Sequence, residues 1–458
     1  MNQTTSRVKR SALAALLVSF GYGAQAQADQ PVTAAAPTPV MVIKAQRVFD
    51  GMSGYLGTGI EVVVQGERIV SVGTEATLPA GARIIDLGDV TLMPGFIDAH
   101  AHLTLESRKN YYLGFYQDIF RFPPEQSHYA AGFARKTLEA GFTTVRNVGA
   151  ADHVDVGLRN AIDAGIIVGP RILTAGHAVG STGSHCDSAP FPPDRVKAPG
   201  PLEGVCNGPD QCREAVRQQL KYGADVIKIC ASGGVLSPTD PVDVPQLTPA
   251  ELQASVSEAH AWKRKVAAHA HGDTAARLAI EAGVDSIEHG SFLTEETLRL
   301  MKRKGTYLVP TRSAIHWVTR MIDTFPPKIA EKARAAAAAH GDMFRTALRI
   351  GVPIAFGTDA GVFPHGMNAM EFRLMTELGM SPADALLTSA RGSARLLGIE
   401  ADTGTLEAGK FADLVAVPGD AIANIESTEH PLFVMQRGRV VLERGPKAQD
   451  PASGLHSR

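Results

Sequence analysis

Along this chain the pattern of apolar and polar positions changes character twice. From Met41 to about Leu92 it has the period of short β-strands. Glu61-Val-Val-Val, a turn at Gln65-Gly66-Glu67 and Arg68-Ile-Val-Ser-Val read as a hairpin. The same texture returns late in the chain: Ala412-Asp-Leu-Val-Ala-Val, then Phe433-Val-Met-Gln and Arg439-Val-Val-Leu joined tightly at Arg437-Gly438. Two β-rich stretches around a different middle predict a small β-sandwich built from residues 41–92 and 404–446.

The middle, 93–403, repeats another phrase. A helical run ends at a glycine, and an apolar strand follows. It occurs at Gly141 before Phe142-Thr-Thr-Val, at Gly165 before Arg171-Ile-Leu-Thr, and at Gly223 before Asp225-Val-Ile-Lys-Ile. It recurs at Gly283 before Asp285-Ser-Ile-Glu, at Gly305 before Thr306-Tyr-Leu-Val, and at Gly351 before Pro353-Ile-Ala-Phe. Glycine stops a helix because it tolerates the left-handed conformation there. With Gly95-Phe-Ile-Asp-Ala-His and Lys265-Val-Ala-Ala-His, eight strands alternate with helices. That alternation predicts an α/β fold with a parallel sheet, and eight strands predict a (β/α)₈ TIM barrel. A doubly wound open sheet is the alternative.

The outermost residues stand apart. Arg7, Lys9 and Arg10 precede an apolar run from Ser11 to Phe20, and small-residue Ala-x-Ala sites end at Ala26 and Ala28. This is the layout of a secretory signal peptide over 1–28, and the run is too short to span a bilayer. Residues 29–40, rich in Ala, Pro and Thr, read as a flexible mature N-terminus, and 447–458 as a flexible tail. The expected location is periplasmic or secreted, with no membrane anchor. Removing 1–28 takes the formal net charge from −2 to −5, which offers no nucleic-acid footprint. The expected partner is a small molecule or dipeptide, and self-association into a homo-oligomer is compatible. Export permits disulfides among Cys186, Cys206 and Cys212. Cys230, in an apolar strand, reads as a plain core residue.

In a barrel the chemistry gathers where strands end. Those ends carry His100-Ala-His102 on the first strand, Lys228 on the fourth, His269 on the fifth, His289 on the sixth and Asp359 on the eighth. Residues two apart in a strand share a face, so His100 and His102 can hold one metal ion together. A lone histidine in an apolar strand is more often a hydrogen-bonded core residue; here the combination carries the reading. Burying the Lys228 ammonium favours its neutral amine, which can take up carbon dioxide as a carbamate. An ordinary ion pair with Asp359 is the alternative. Glu288, directly before His289, is expected to face the helix layer. Arg146 and Asn147 end the second strand. The loop His177–Asp187 follows the third strand, and Thr311 and Arg312 follow the seventh.

Pro94-Gly-Phe-Ile-Asp-Ala-His-Ala-His, Lys228-Ile-Cys-Ala-Ser-Gly-Gly-Val, Ala268-His-Ala-His-Gly, Ser286-Ile-Glu-His-Gly-Ser and Gly357-Thr-Asp-Ala-Gly together resemble the amidohydrolase superfamily. The likeness is greatest to its Xaa-Pro dipeptidase (prolidase-like) and ochratoxinase-like branch. The resemblance implies two divalent ions, zinc by preference. His100, His102 and Asp359 would hold one, His269 and His289 the other, with N6-carboxylated Lys228 and a hydroxide between them. It implies amide hydrolysis of a dipeptide or N-acyl amino acid, ochratoxin-type amides included, with Asp359 carrying the proton to the leaving amine. His271 would be a substrate-contacting catalytic donor. His177 and Arg312 are candidate substrate contacts, Arg312 through a bidentate bond to a carboxylate. Two other readings stay open: hydrolysis of a cyclic amide or imidazolone ring, and a non-catalytic ligand-binding barrel.

Overall fold

A computed structural model describes residues 40–74, 81–107, 110–187, 192 and 194–444. The expected signal peptide and nearly all of the two flexible ends lie outside these residues. Val40, assigned above to the flexible stretch, already opens a strand.

The first part of the chain forms strands β1 (Val40–Lys44), β2 (Arg47–Phe49), β3 (Leu56–Gly57), β4 (Glu61–Gln65), β5 (Arg68–Gly73), β6 (Arg83–Asp86) and β7 (Val90–Pro94). The middle supplies β8 (Phe96–Ala101), β9 (Phe142–Asn147), β10 (Arg171–Thr174), β11 (Val226–Cys230), β12 (Lys265–Ala270), β13 (Ser286–His289) and β14 (Tyr307–Val309). The last part adds β15 (Leu414–Pro418), β16 (Phe433–Gln436) and β17 (Arg439–Glu443).

Two sheets make the β-domain, in the orders β5-β4-β1-β6 and β17-β16-β15-β7-β2-β3. The second sheet joins both parts of the chain, because β7 pairs antiparallel with β15. Ile43, Val62, Val64, Leu92, Leu414 and Phe433 share the apolar core of this unit. Period-2 alternation delivers those side chains to one face, and their burial, at roughly 25 cal/mol per Å², holds the sheets together.

The middle strands form two parallel arcs, β10-β9-β8 and β11-β12-β13-β14. Helices lie between them in sequence, among them Pro123–Glu139, Pro209–Lys221, Pro249–Ala261, Asp273–Ala282, Glu295–Lys304 and Pro327–Ile350. Gly305 and Gly351 close the last two at φ 73° and 76°, where a side chain would be strained. Outward residues such as Ile227, Ile229, Ile287 and Leu308 join helix residues Leu252, Leu298 and Phe344 in one large core.

Isolated bridges lie between the arcs. Val179 bridges Ile229 in parallel on one side; on the other, Leu308 bridges Ile354 and Ala101 bridges Ala360. The eighth expected strand is therefore a bridging segment rather than a regular ladder. Gly357 lies where it crosses β8 so closely that a Cβ would stand 2.9 Å from that of His100. Only the missing side chain permits that approach.

All four cysteines are paired: Cys206 with Cys212 and Cys186 with Cys230. This corrects the reading of Cys230 as a plain core residue. The Val179–Ile229 bridge returns the loop after β10 across the end of β11, bringing Cys186 to Cys230. Among the described residues, no helix is long and apolar enough to cross a membrane.

Candidate metal centre

Strand alternation puts Lys228 on the face of β11 opposite Ile227 and Ile229, and leaves it 4% exposed. His100, His102, His269, His271, His289 and Asp359 come with it to the floor of one cavity of about 500 Å³. The ligand atoms of His100, His102 and Asp359 lie within 4.8 Å of one another, and so do those of His269, His271 and His289. Nε2 of His100 and Nε2 of His102 each stand 3.3 Å from Oδ1 of Asp359. Asp359 adopts φ 62°, a strained backbone for aspartate, as its N–H bonds to the His100 carbonyl.

Other side chains fix these rings. Glu288 Oε2 accepts from Nδ1 of His100 at 2.6 Å, and Glu288 Oε1 accepts from Arg146 at 2.8 Å. Thr311 Oγ1 lies 2.7 Å from Nδ1 of His289, and Ser291 Oγ 2.9 Å from Nδ1 of His271. A carboxylate or hydroxyl on one imidazole nitrogen fixes the tautomer and aims the other nitrogen inward. The His271 and His289 rings stack at 4.9 Å, and the His269 ring stacks on that of His185 at 4.3 Å.

Burial governs the charges. It pushes the His269 and His289 imidazoles well below their usual range and His271 down to about 3, with neighbouring imidazoles adding to the effect. These rings are therefore neutral, and a neutral imidazole has one nitrogen lone pair and one N–H to offer. Burial brings the Lys228 ammonium down to about 8, against the opposing pull of Glu288 and Asp359. Burial alone would raise Glu288 too, but Arg146 and the His100 ring outweigh it and hold the carboxyl down to about 2. Asp359 is likewise kept ionised, the His100 and His102 rings overcoming its burial.

Two expectations need correction. Glu288 faces inward, not toward the helix layer. His289 has φ 70°, so the alternation counted back from it breaks, and Glu288 shares a face with Ser286, whose hydroxyl it accepts. The two polar side chains flanking Ile287 were the available signal. Arg312 does not line the cavity. Thr311, at φ 50°, turns the chain into the helix Arg312–Arg320, and the Arg312 guanidinium has Glu371, Glu377 and Arg345 as its charged neighbours. Thr311 serves His289 rather than a substrate. His177 does line the cavity, its ring 5.3 Å from that of His153. Asn147 accepts from the Leu103 N–H and donates to Asp155.

Sequence reasoning also passed over Asp98. It is fully buried and accepts from the Thr358 hydroxyl at 2.6 Å and from Asn368 at 2.8 Å. It thereby ties β8 to the segment bearing Asp359. Its position two residues before His100, polar within an apolar strand, was the signal.

The model of the amidohydrolase family matches residues 91–441. Ochratoxinase of Aspergillus niger is 32% identical over 394 residues, 81% of this chain and 80% of that protein. The crystal structure of a Xaa-Pro dipeptidase with bound methionine in the active site superposes with TM-score 0.84 at 39% identity, covering 88% of this chain and 99% of the other. A prolidase complexed with N-methylphosphonate-L-proline superposes with TM-score 0.80 at 29% identity, covering 88% and 100%. The resemblance seen in the strand-end motifs thus holds across most of the chain, which belongs to the amidohydrolase family.

Proposed function

We propose that this protein is an exported two-metal hydrolase of amide bonds, acting on a dipeptide or N-acyl amino acid, with its site at the mouth of a closed (β/α)₈ barrel. One observation carries the reading: two groups of ligand atoms and a buried lysine converge on the floor of a single cavity. The donor set suits divalent cations, since imidazole and carboxylate groups are zinc ligands and burial keeps the His269 and His289 imidazoles uncharged. His100, His102 and Asp359 would hold one ion and His269 and His289 the other, with His271 left to donate to the scissile carbonyl. Lys228, as a carbamate, would stand between the two. Forming it joins the neutral Nζ to the carbon of carbon dioxide and releases one proton, and burial favours that neutral amine.

Two such ions supply Lewis-acid polarisation of the carbonyl and activation of water. The chain's own residues do the rest. Asp359 accepts the proton of the attacking water on its carboxylate and delivers it to the amine nitrogen as the C–N bond breaks. His271, fixed through Nδ1 by Ser291, stabilises the oxyanion.

The cavity wall narrows the substrate. Leu105, Val148, Val235, Ile315, Val318 and Val362 line it, and among the described residues Lys228 is its one lysine or arginine. An apolar group beside the amide fits this wall better than a charged one. With Arg312 outside the cavity, His177 and His185 are, among the described residues, groups placed to meet a substrate carboxylate. The names of the relatives, a dipeptidase and an ochratoxinase, agree with an amide next to an amino-acid carboxylate. Export is supported by the pairing of all four cysteines.

Elemental analysis of the purified protein, run with a dipeptide and N-acyl-amino-acid panel, tests the reading. Close to two divalent metals per chain and hydrolysis of apolar members are expected. Lys228→Ala should lose the activity, and full turnover in that variant rules out the carbamate.

A further inference from the structure

Between β11 and the helix Pro249–Ala261, residues 231–248 run as a loop closed near its base, where Ser232 bridges Pro245. Val235 and Leu236, early in this loop, form part of the cavity wall. Val235 shares a small apolar cluster with Val242, with Ile315 and Val318 of the same wall, and with Ala333 and Ala336 of the long helix Pro327–Ile350. Apolar contacts are non-directional, so by themselves they let such a loop slide.

Lys332, on that long helix, supplies the direction. Its Nζ donates to the carbonyls of Gly234 and Ser237 at 2.6 Å each and of Asp240 at 3.0 Å. An ammonium has three N–H groups, and one backbone carbonyl takes each. The Asp240 carboxylate stands 3.7 Å from the same nitrogen and balances its charge, while its Oδ2 accepts from the Gly234 N–H and from Gln246. From there two bonds run to His185. Gln246 Oε1 accepts the His185 N–H at 2.9 Å, and Ser237 Oγ lies 3.1 Å from His185 Nδ1. The His185 ring stacks on that of His269 and lines the cavity, whereas Lys332 stays outside it. We propose that Lys332 is a positioning residue for the hydrolysis proposed above, on which this role rests. It pins the loop after β11 from outside the cavity, and so holds the apolar wall and His185 in the places that select a substrate with a large apolar group.

Lys332→Met keeps much of the volume and leaves the three carbonyls without their shared donor. Hydrogen–deuterium exchange of the whole protein should then rise in residues 233–246 and 181–187 and stay unchanged in the barrel strands. Across the panel of N-acyl amino acids KM should rise. The preference for the phenylalanine member over the alanine member in kcat/KM should fall about tenfold, with kcat little changed. Wild-type exchange in those two segments overturns the clamp, whether or not the protein is a hydrolase. Faster exchange with the preference intact overturns the role in selection, and so does a loss confined to kcat or to the melting temperature. A wild type that hydrolyses no member of the panel overturns the function proposed above and the role in selection with it, the exchange result still judging the clamp. Should Lys332→Met misfold, Lys332→Arg decides instead. Its planar guanidinium keeps the charge but spreads its N–H groups over three nitrogens, so the same two changes are expected in smaller measure. Wild-type values for both overturn the proposal.

Discussion

Glu288 shows how much one side chain can organise. It is fully buried, yet its carboxylate is held ionised between Arg146 and Nδ1 of His100. Without it, the His100 ring is free to rotate or change tautomer, and Arg146 is left as an unpaired buried cation, which is strongly destabilising. Glu288→Gln keeps the shape but weakens both bonds. We expect the affinity for the metal nearest His100 to fall by about 10–100-fold, measured by equilibrium dialysis against a competing chelator. Wild-type affinity in this variant would show that His100 needs no such partner. Asp98, joined to Thr358 and Asn368, positions Asp359 in a comparable way, through backbone rather than through an imidazole.

Among the elements, the helix Arg312–Arg320 and the loop after β10 have the most to do with the site. The first turn of that helix gives its Arg312 and Ser313 N–H groups to Glu371. Burial pushes the Glu371 carboxyl up from 4.5 to about 7. A carboxyl raised in the folded state lends stability that is full below its unfolded value and lost as pH rises through its folded one. The wild type should therefore lose stability between pH 4.5 and about 7 relative to Glu371→Gln, by on the order of 3 kcal/mol. Parallel pH profiles of the two proteins in urea melts would refute this. The loop after β10 is fastened by Cys186–Cys230, which also line the cavity. Cys186→Ser with Cys230→Ser should cost about 2–4 kcal/mol. It should also raise KM, because His185, next to Cys186, would lose its place against His269. A variant that melts earlier with KM unchanged would confine the disulfide to stability.

At the scale of the whole molecule, ions held by the proposed centre would add to the fold's stability. A ligand at ~1,000 times its Kd adds about 4 kcal/mol to the folded state, so removal by chelator should lower the thermal midpoint by several degrees and zinc should restore it. An unchanged midpoint would mean that the two groups of donors hold no ion. What the sequence by itself determined was whatever depends on local order. The alternation of helix, glycine and strand marked the parallel middle, period-2 stretches marked the β-domain, and strand ends located the seven side chains of the cavity floor. Each of these follows from spacing along the chain, which the backbone geometry converts directly into a face or an end. Only the tertiary structure decided what depends on a departure from that geometry or on a partner far away in sequence. The left-handed His289 turned Glu288 inward, Thr311 turned Arg312 away, and the Val179–Ile229 bridge chose Cys186 as the partner of Cys230. Side-chain periodicity holds only while φ and ψ stay regular, and contacts across 44 or 188 positions of chain are set by packing, which spacing does not record.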